Sequence, residues 1–247
     1  MKRAFWFWSI ALLILLGCGG AGNNNNVAPE PLIGFVNAST TSAAIDAFVN
    51  ETQLGNNVAF RGRSPLAGAV LTFRNFEPGE YDLTVQEDTD PENTQAIETT
   101  TLERDKSYLF FAVGLVTPPN TEFDKRLRPV VTEFDRTAPN GGKARLIVVH
   151  AYDRAEGFET PAIDFQNPGD NPQFKESNIP YAGGRTVLID AGAQTFVARR
   201  NGAEFDLTPP VTFTFDGGKI YVGIISGIEG GTGARAPLIT FHEVQPK

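Results

Sequence analysis

The sequence predicts an all-β protein: two tandem immunoglobulin-like β-sandwiches behind a secretion leader and a flexible tether. Three observations predict it. Short segments rich in β-branched and aromatic residues recur along the chain, 25 Gly and 17 Pro in 247 residues supply many turns, and an internal repeat maps one half onto the other. No segment after the leader sustains a 3.6-residue apolar period.

The leader comes first. Lys2 and Arg3 are followed by a nearly unbroken apolar run from Ala4 to Leu16. That is the layout of a secretory signal, and the run is shorter than the roughly 20 residues a spanning helix needs. It ends in Leu15-Leu16-Gly17-Cys18, which resembles the lipobox of bacterial lipoproteins. The resemblance implies a diacylglycerol thioether on Cys18 and cleavage before it, so that residues 1–17 are removed. Cys18 is the only cysteine, which excludes a disulfide framework. Two or three acyl chains hold a protein stably where a single chain binds only marginally, so the expected first partner is a membrane. Gly19 follows where inner-membrane lipoproteins of Gram-negative bacteria usually carry Asp, and by that resemblance the destination is the outer membrane in a Gram-negative organism, or the outer face of the single membrane in a Gram-positive one. Residues 18–31, with Asn23 to Asn26, are too polar for a core and read as the acylated tether.

Strand-like runs then follow in order: Leu32 to Val36, Ala44 to Val49, Val70 to Phe73, Tyr81 to Val85, Ala96 to Leu102, Tyr108 to Val113 and Val130 to Phe134. The second series is Ala144 to Val149, a run near Ile163, Thr186 to Leu188, Phe196 to Ala198, Val211 to Phe215, Tyr221 to Ile225 and Leu238 to Phe241. Val36-Asn37-Ala38 reappears as Val149-His150-Ala151, Gly79 falls on Gly192 and Tyr108 on Tyr221, all at a shift of 113. Ala44-Ile45-Asp46 matches Ala162-Ile163-Asp164 at 118, which places a five-residue insertion in a loop. The breaker cluster Ala138 to Gly142 suits a linker. The expected division is a first sandwich over 32–137, a linker over 138–143 and a second sandwich over 144–247. About seven short strands per copy suit the immunoglobulin-like pattern, with barrels as the alternative.

These phrases also carry a family resemblance. Val36-Asn37-Ala38-Ser39, then Ala44-Ile45-Asp46-Ala47-Phe48-Val49-Asn50, then Phe76-Glu77-Pro78-Gly79-Glu80-Tyr81 resemble the repeat of the domain-of-unknown-function 4397 family. The second copy is degenerate: His150-Ala151-Tyr152 and Ile163-Asp164-Phe165 match, and the later turn is reduced to Asp190-Ala191-Gly192-Ala193. The resemblance implies a secreted or lipid-anchored bacterial β protein and brings no catalytic residues.

Charge and chemistry narrow the role. The net charge of −8 becomes −10 when Lys2 and Arg3 are lost, which disfavours nucleic acid and anionic lipid as partners. Asp46 and Asp164 recur at one motif position and are expected to accept backbone N–H bonds. His150 ends a strand and His242 sits beside Glu243; both are expected at a surface or edge rather than as general bases. No Gly-x-Ser-x-Gly elbow is present. Two histidines far apart make no zinc site, and the loop Asp88 to Asn93 departs from the EF-hand pattern, so no metal and no cofactor is expected. Gly227 to Gly233 leads to no helix and reads as a loop rather than a phosphate cradle.

The expected role is therefore a non-catalytic binding or structural module of the cell envelope, with a glycan or a protein as ligand. Three long segments, Glu51 to Ala69, Thr117 to Arg128 and Asn167 to Arg185, read as candidate binding loops. They offer Arg61, Arg63, Phe123, Arg126, Phe174, Lys175, Tyr181 and Arg185. The alternative is a hydrolase of an envelope glycan, with carboxylates from Asp46, Asp164 or the Asp88 loop facing one cleft at about 5 to 10 Å.

Overall fold

A computed structural model describes residues 28–40, 44–64, 70–116, 126–154 and 159–244. The leader, Cys18, most of the tether and Phe123 lie outside the described residues. In the first half the strands are β1 (Leu32–Asn37), β2 (Ile45–Val49), β3 (Thr52–Val58), β4 (Val70–Leu71), β5 (Arg74–Asn75), β6 (Gly79–Glu87), β7 (Ala96–Leu102), β8 (Ser107–Val113) and β9 (Arg128–Phe134). The second half continues with β10 (Lys143–Asp153), β11 (Ile163–Gln166), β12 (Lys175–Ile179), β13 (Gly184–Asp190), β14 (Gly192–Arg200), β15 (Val211–Phe215), β16 (Ile220–Ile228) and β17 (Leu238–Val244). The one α-helix among the described residues, α1, is a single turn at Pro91–Thr94.

The chain is all-β and forms four sheets, ordered β3-β2-β6-β7, β5-β1-β8-β9, β13-β10-β16-β17-β4 and β12-β11-β14-β15. Three apolar cores set the stacking. Ile45, Val49 and Leu83 of the first sheet pack on Phe35 and Phe110 of the second. Val36, Phe111 and Val113 of the second pack on Ile147, Val149 and Val222 of the third. Leu146, Val148 and Ile225 of the third pack on Phe165, Phe196 and Ala198 of the fourth. The molecule is thus a four-layer stack in which each half supplies one outer and one inner sheet.

That stacking explains the sequence pattern. β1 pairs in parallel with β8, and β10 with β16. These four strands are covered on both faces, so they read as continuous apolar runs (Ser107 to Val113 is buried throughout) instead of alternating. The outer sheets have one face toward water, so β6, β7 and β15 mix exposed and buried positions.

Two of the expected loops contain strands. β3 lies within Glu51 to Ala69 and β12 within Asn167 to Arg185. Both are polar edge strands, and Thr-Gln-Leu-Gly-Asn-Asn-Val and Lys-Glu-Ser-Asn-Ile lack the alternation that would have shown them. The breaker cluster at 138–142 carries the chain from β9 into β10, with Lys143 N–H donating to the Asn140 carbonyl.

The repeat is visible in bonds as well as in strands. Tyr108 Oη accepts the Glu103 N–H at 2.9 Å, and Tyr221 Oη accepts the Asp216 N–H at 3.0 Å. Lys106 pairs with Glu133, and Lys219 with Glu243. The halves meet about a pseudo-twofold: Arg63 contacts His242, while its counterpart Gly184 lies against Thr132. One departure from symmetry ties them further, because β4 of the first half adds to β17 in the third sheet, Val70 beside Glu243 and Leu71 beside Val244.

Candidate functional site

The four central strands run the same way within each inner sheet, so β1, β8, β10 and β16 all release their loops at one end. At that end the two halves meet in a polar seam. Thr40 Oγ1 donates to Asp153 Oδ2 at 2.5 Å, and both residues are fully buried. Ser39 Oγ donates to the Gly114 carbonyl at 2.7 Å. Arg154 Nε meets Glu229 Oε2 at 3.1 Å.

Arg61 is the centre of this seam. It lies at φ +63 in the turn after β3, which docks on β1 through Arg61 N–H to the Asn37 carbonyl. Its guanidinium donates to Ser226 Oγ (2.9 Å) and to the carbonyls of Ala234 (3.1 Å), Ser226 (3.2 Å) and Ala236 (2.6 Å). These bonds hold the loop from Gly227 to Gly233, and the 3-10 turn Gly233–Arg235 after it, against the first half. Burial lowers the Arg61 pKa, so the cation depends on these acceptors.

Both histidines correct the expectation of a surface or edge position. His150 is fully buried in β10, and its Nδ1 donates to the Ile179 carbonyl at 3.1 Å. Asn37, at the same repeat position, donates to the Val58 carbonyl at 2.8 Å. The imidazole therefore does the work of an amide, and in a strand covered on both faces it is hidden. Desolvation lowers its pKa to about 4 and keeps it neutral. His242 is also buried; Arg63 Nη1 donates to its Nδ1 at 2.8 Å, and burial with the nearby cation lowers its pKa to about 4.

Asp46 and Asp164 sit where the sheet is irregular. β3 and β12 each carry an extra residue opposite them, a bulge that puts Asn57 and Asn178 at φ +50 and +57 and leaves an N–H without a ladder partner. Asp46 Oδ1 accepts the Asn57 N–H at 2.7 Å and Asp164 Oδ1 the Asn178 N–H at 3.0 Å. Asp164 also accepts Asn201 Nδ2 (2.8 Å) and pairs with Lys175 (2.8 Å). Burial alone would raise its pKa, but these donors hold it below the ordinary value. The two aspartates belong to opposite outermost sheets, about 30 Å apart at roughly 10 Å per layer, and cannot share a cleft. The Asp88 loop is closed by the turn of α1. Among the described residues no group of three or more His, Cys, Asp or Glu is placed to hold a metal.

The other candidate side chains are scattered. Phe174 packs in the aromatic core with Phe165 and Phe196. Lys175 serves Asp164, and Arg185 lies 3.8 Å from Glu176. Tyr181 meets His150 edge to face and lies beneath Arg128, 5.6 Å from the ring centre, while Arg126 sits exposed beside the bridge to Leu115. Sequence reading missed Thr40, Asp153, Arg128 and Arg154. The shift of 113, which places Thr40 on Asp153, was the one signal that pointed to the pair.

Two clefts remain. One of about 390 Å³ lies at the opposite end from the seam, and among its lining residues Lys106 pairs with Glu133 and Asp135 with Arg145. The other, a shallow cleft of about 630 Å³ on the first outer sheet, is lined by Asn50, Glu51, Thr52, Asp82, Thr84 and Ile97.

No curated protein matches the chain. Among solved structures, the Bacillus anthracis TIE protein aligns at 9% identity over 87% of this chain and 43% of its own length, with a TM-score of 0.25. A candidate cell adhesion protein from Bacteroides fragilis aligns at 9% identity over 89% of this chain and 98% of that one, with a TM-score of 0.20. The chain thus spans less than half the length of the first. The model of the family described as a domain of unknown function, DUF4397, matches residues 31–166, from the start of β1 to the end of β11. With more than half of its length matched, the chain belongs to the DUF4397 family.

Proposed function

We propose that the protein is a lipid-anchored component of a bacterial cell envelope, held through Cys18 and acting without catalysis as a binding or structural module. The observation that carries this reading is where the chain enters the folded body. Residues 28–32 dock on the turn at 103–106: Asp105 N–H donates to the Pro29 carbonyl, Leu32 N–H to the Lys106 carbonyl and Arg104 Nη1 to the Ala28 carbonyl. β10, at 11 residues, extends about 35 Å from that end to the seam. A chain tethered at Cys18 therefore carries its loop cluster on the side away from the anchor. Absence of catalysis is supported by how the reactive groups are used: both motif aspartates stabilise bulges, and both histidines are buried and neutral. Gly19 favours the outer membrane.

The test is mass spectrometry of the membrane-fraction protein beside Cys18→Ala. Loss of residues 1–17 with acyl mass on Cys18, and release of the variant from the membrane, is the expected result. A free thiol at Cys18 in a membrane-retained chain would overturn the anchor.

A further inference from the structure

The two outer sheets are one structure built twice, yet their charges differ. Residues 44–60 and 79–102, which form β2, β3, β6 and β7 with their turns, hold nine acidic residues and no lysine, arginine or histidine. The chain has 29 acidic and 21 basic residues in all, a net charge of −8, and this layer alone carries −9. The second outer sheet answers its carboxylates: Lys175 pairs with Asp164, and Arg199 with Asp206 and Asp170. Glu51, Glu80, Asp82, Glu92 and Glu98 are exposed and have no cation within ion-pair distance. Because the same fold accommodates neutralised carboxylates in the second half, the folding of the sheet does not require this segregation.

The acidic face also carries apolar surface on the strand that ends the sheet. Register aligns Phe48, Thr84 and Ile97 in one row across β2, β6 and β7. Ile97, on the strand that ends the sheet, is 56% exposed and lines the 630 Å³ cleft beside Glu51 and Asp82. β7 contains neither the lysine nor the proline that commonly protect an edge strand.

We propose that this face docks a basic protein segment, whose Lys or Arg side chains meet Glu51, Glu80 and Asp82 while an apolar residue covers Ile97. The inference rests on the binding reading above and names its partner class. Charge complementarity selects the occupant: an anionic lipid surface or a nucleic acid is repelled from this layer, whereas a cationic strand is steered to it and can align along β7.

The probe is a fluorescent peptide of alternating lysine and valine, added to the full mature protein in neutral detergent and followed by anisotropy. A triple variant, Glu51→Gln, Glu80→Gln and Asp82→Asn, is compared with one of equal charge change elsewhere, Glu159→Gln, Glu204→Gln and Asp216→Asn. The first is expected to weaken binding by about tenfold or more and the second by less than about twofold, with salt weakening the wild type. Equal losses in both variants, no binding by the wild type, or displacement of the peptide by calcium at constant ionic strength would each overturn the proposal. Acyl mass on Cys18 is read separately on the same preparation, so failure of the anchor and failure of the face are distinguishable.

Discussion

Thr40 and Asp153, which occupy the same position in the two copies of the repeat, are hydrogen-bonded to each other across the middle of the molecule. Residues related by a pseudo-twofold meet only near its axis, so this pair marks where the halves are joined. A double-mutant cycle of Thr40→Val and Asp153→Ala is expected to give a coupling of about 1 to 3 kcal/mol in urea unfolding. Additive effects would show that the two side chains do not interact in solution.

His150 provides a pH prediction. Its folded pKa, about 4, lies below the ordinary 6.5, so the neutral form is favoured in the native state. The resulting stability is complete above about pH 6.5 and is lost as pH falls through 4, at most on the order of 3 kcal/mol. His150→Asn installs the residue that makes the equivalent bond in the first copy. That variant is expected to stay within about 1 kcal/mol of the wild type at pH 7 and to lose less stability between pH 6.5 and 4.5. Parallel pH profiles for the two proteins would refute the assignment.

The two motif aspartates differ in how many donors they satisfy. Asp164→Ala strands Lys175, Asn201 and the Asn178 N–H, and should cost about 2 to 4 kcal/mol; Asp46→Ala releases the Asn57 N–H and should cost about 1 to 2 kcal/mol. Denaturation midpoints check the order, and the reverse order would mean that the bulges are held by something else.

Because the inner sheets share a core, residues 28–137 and 138–247 produced separately are each expected to associate or to unfold without cooperativity. Mixing them should restore a single transition. A fragment that remains a monomer with a sharp unfolding transition of its own would contradict the shared core.

Much of this architecture was legible in the sequence, and the exceptions have physical causes. The apolar runs of β1, β8, β10 and β16 and the register at Tyr108 and Tyr221 gave the strands and the repeat. Residue chemistry also anticipated that Asp46 and Asp164 would accept backbone N–H groups. The stacking was less legible, although β8 and β10 carried its signature: strands without alternation are strands covered twice. β3 and β12 were hidden because edge strands tolerate polar side chains and a bulge breaks their period. The burial of His150 was missed because an imidazole standing in for an amide looks the same in sequence as one at a surface. The seam involving Arg61 depends on turns more than 160 residues apart, which no local pattern records.

The crossover of β4 bears on the order of folding. Its ladder partners, Glu243 and Val244, lie at the end of β17, about 170 residues farther along the chain. The third sheet therefore cannot close until the last described strand has emerged, however early the first half collapses. Pairing over such separations is slow, because loop entropy is lost before the contacts form. A chain of this design spends its time between synthesis and closure with an inner sheet uncovered, and it is during that interval that its apolar strands are most open to aggregation.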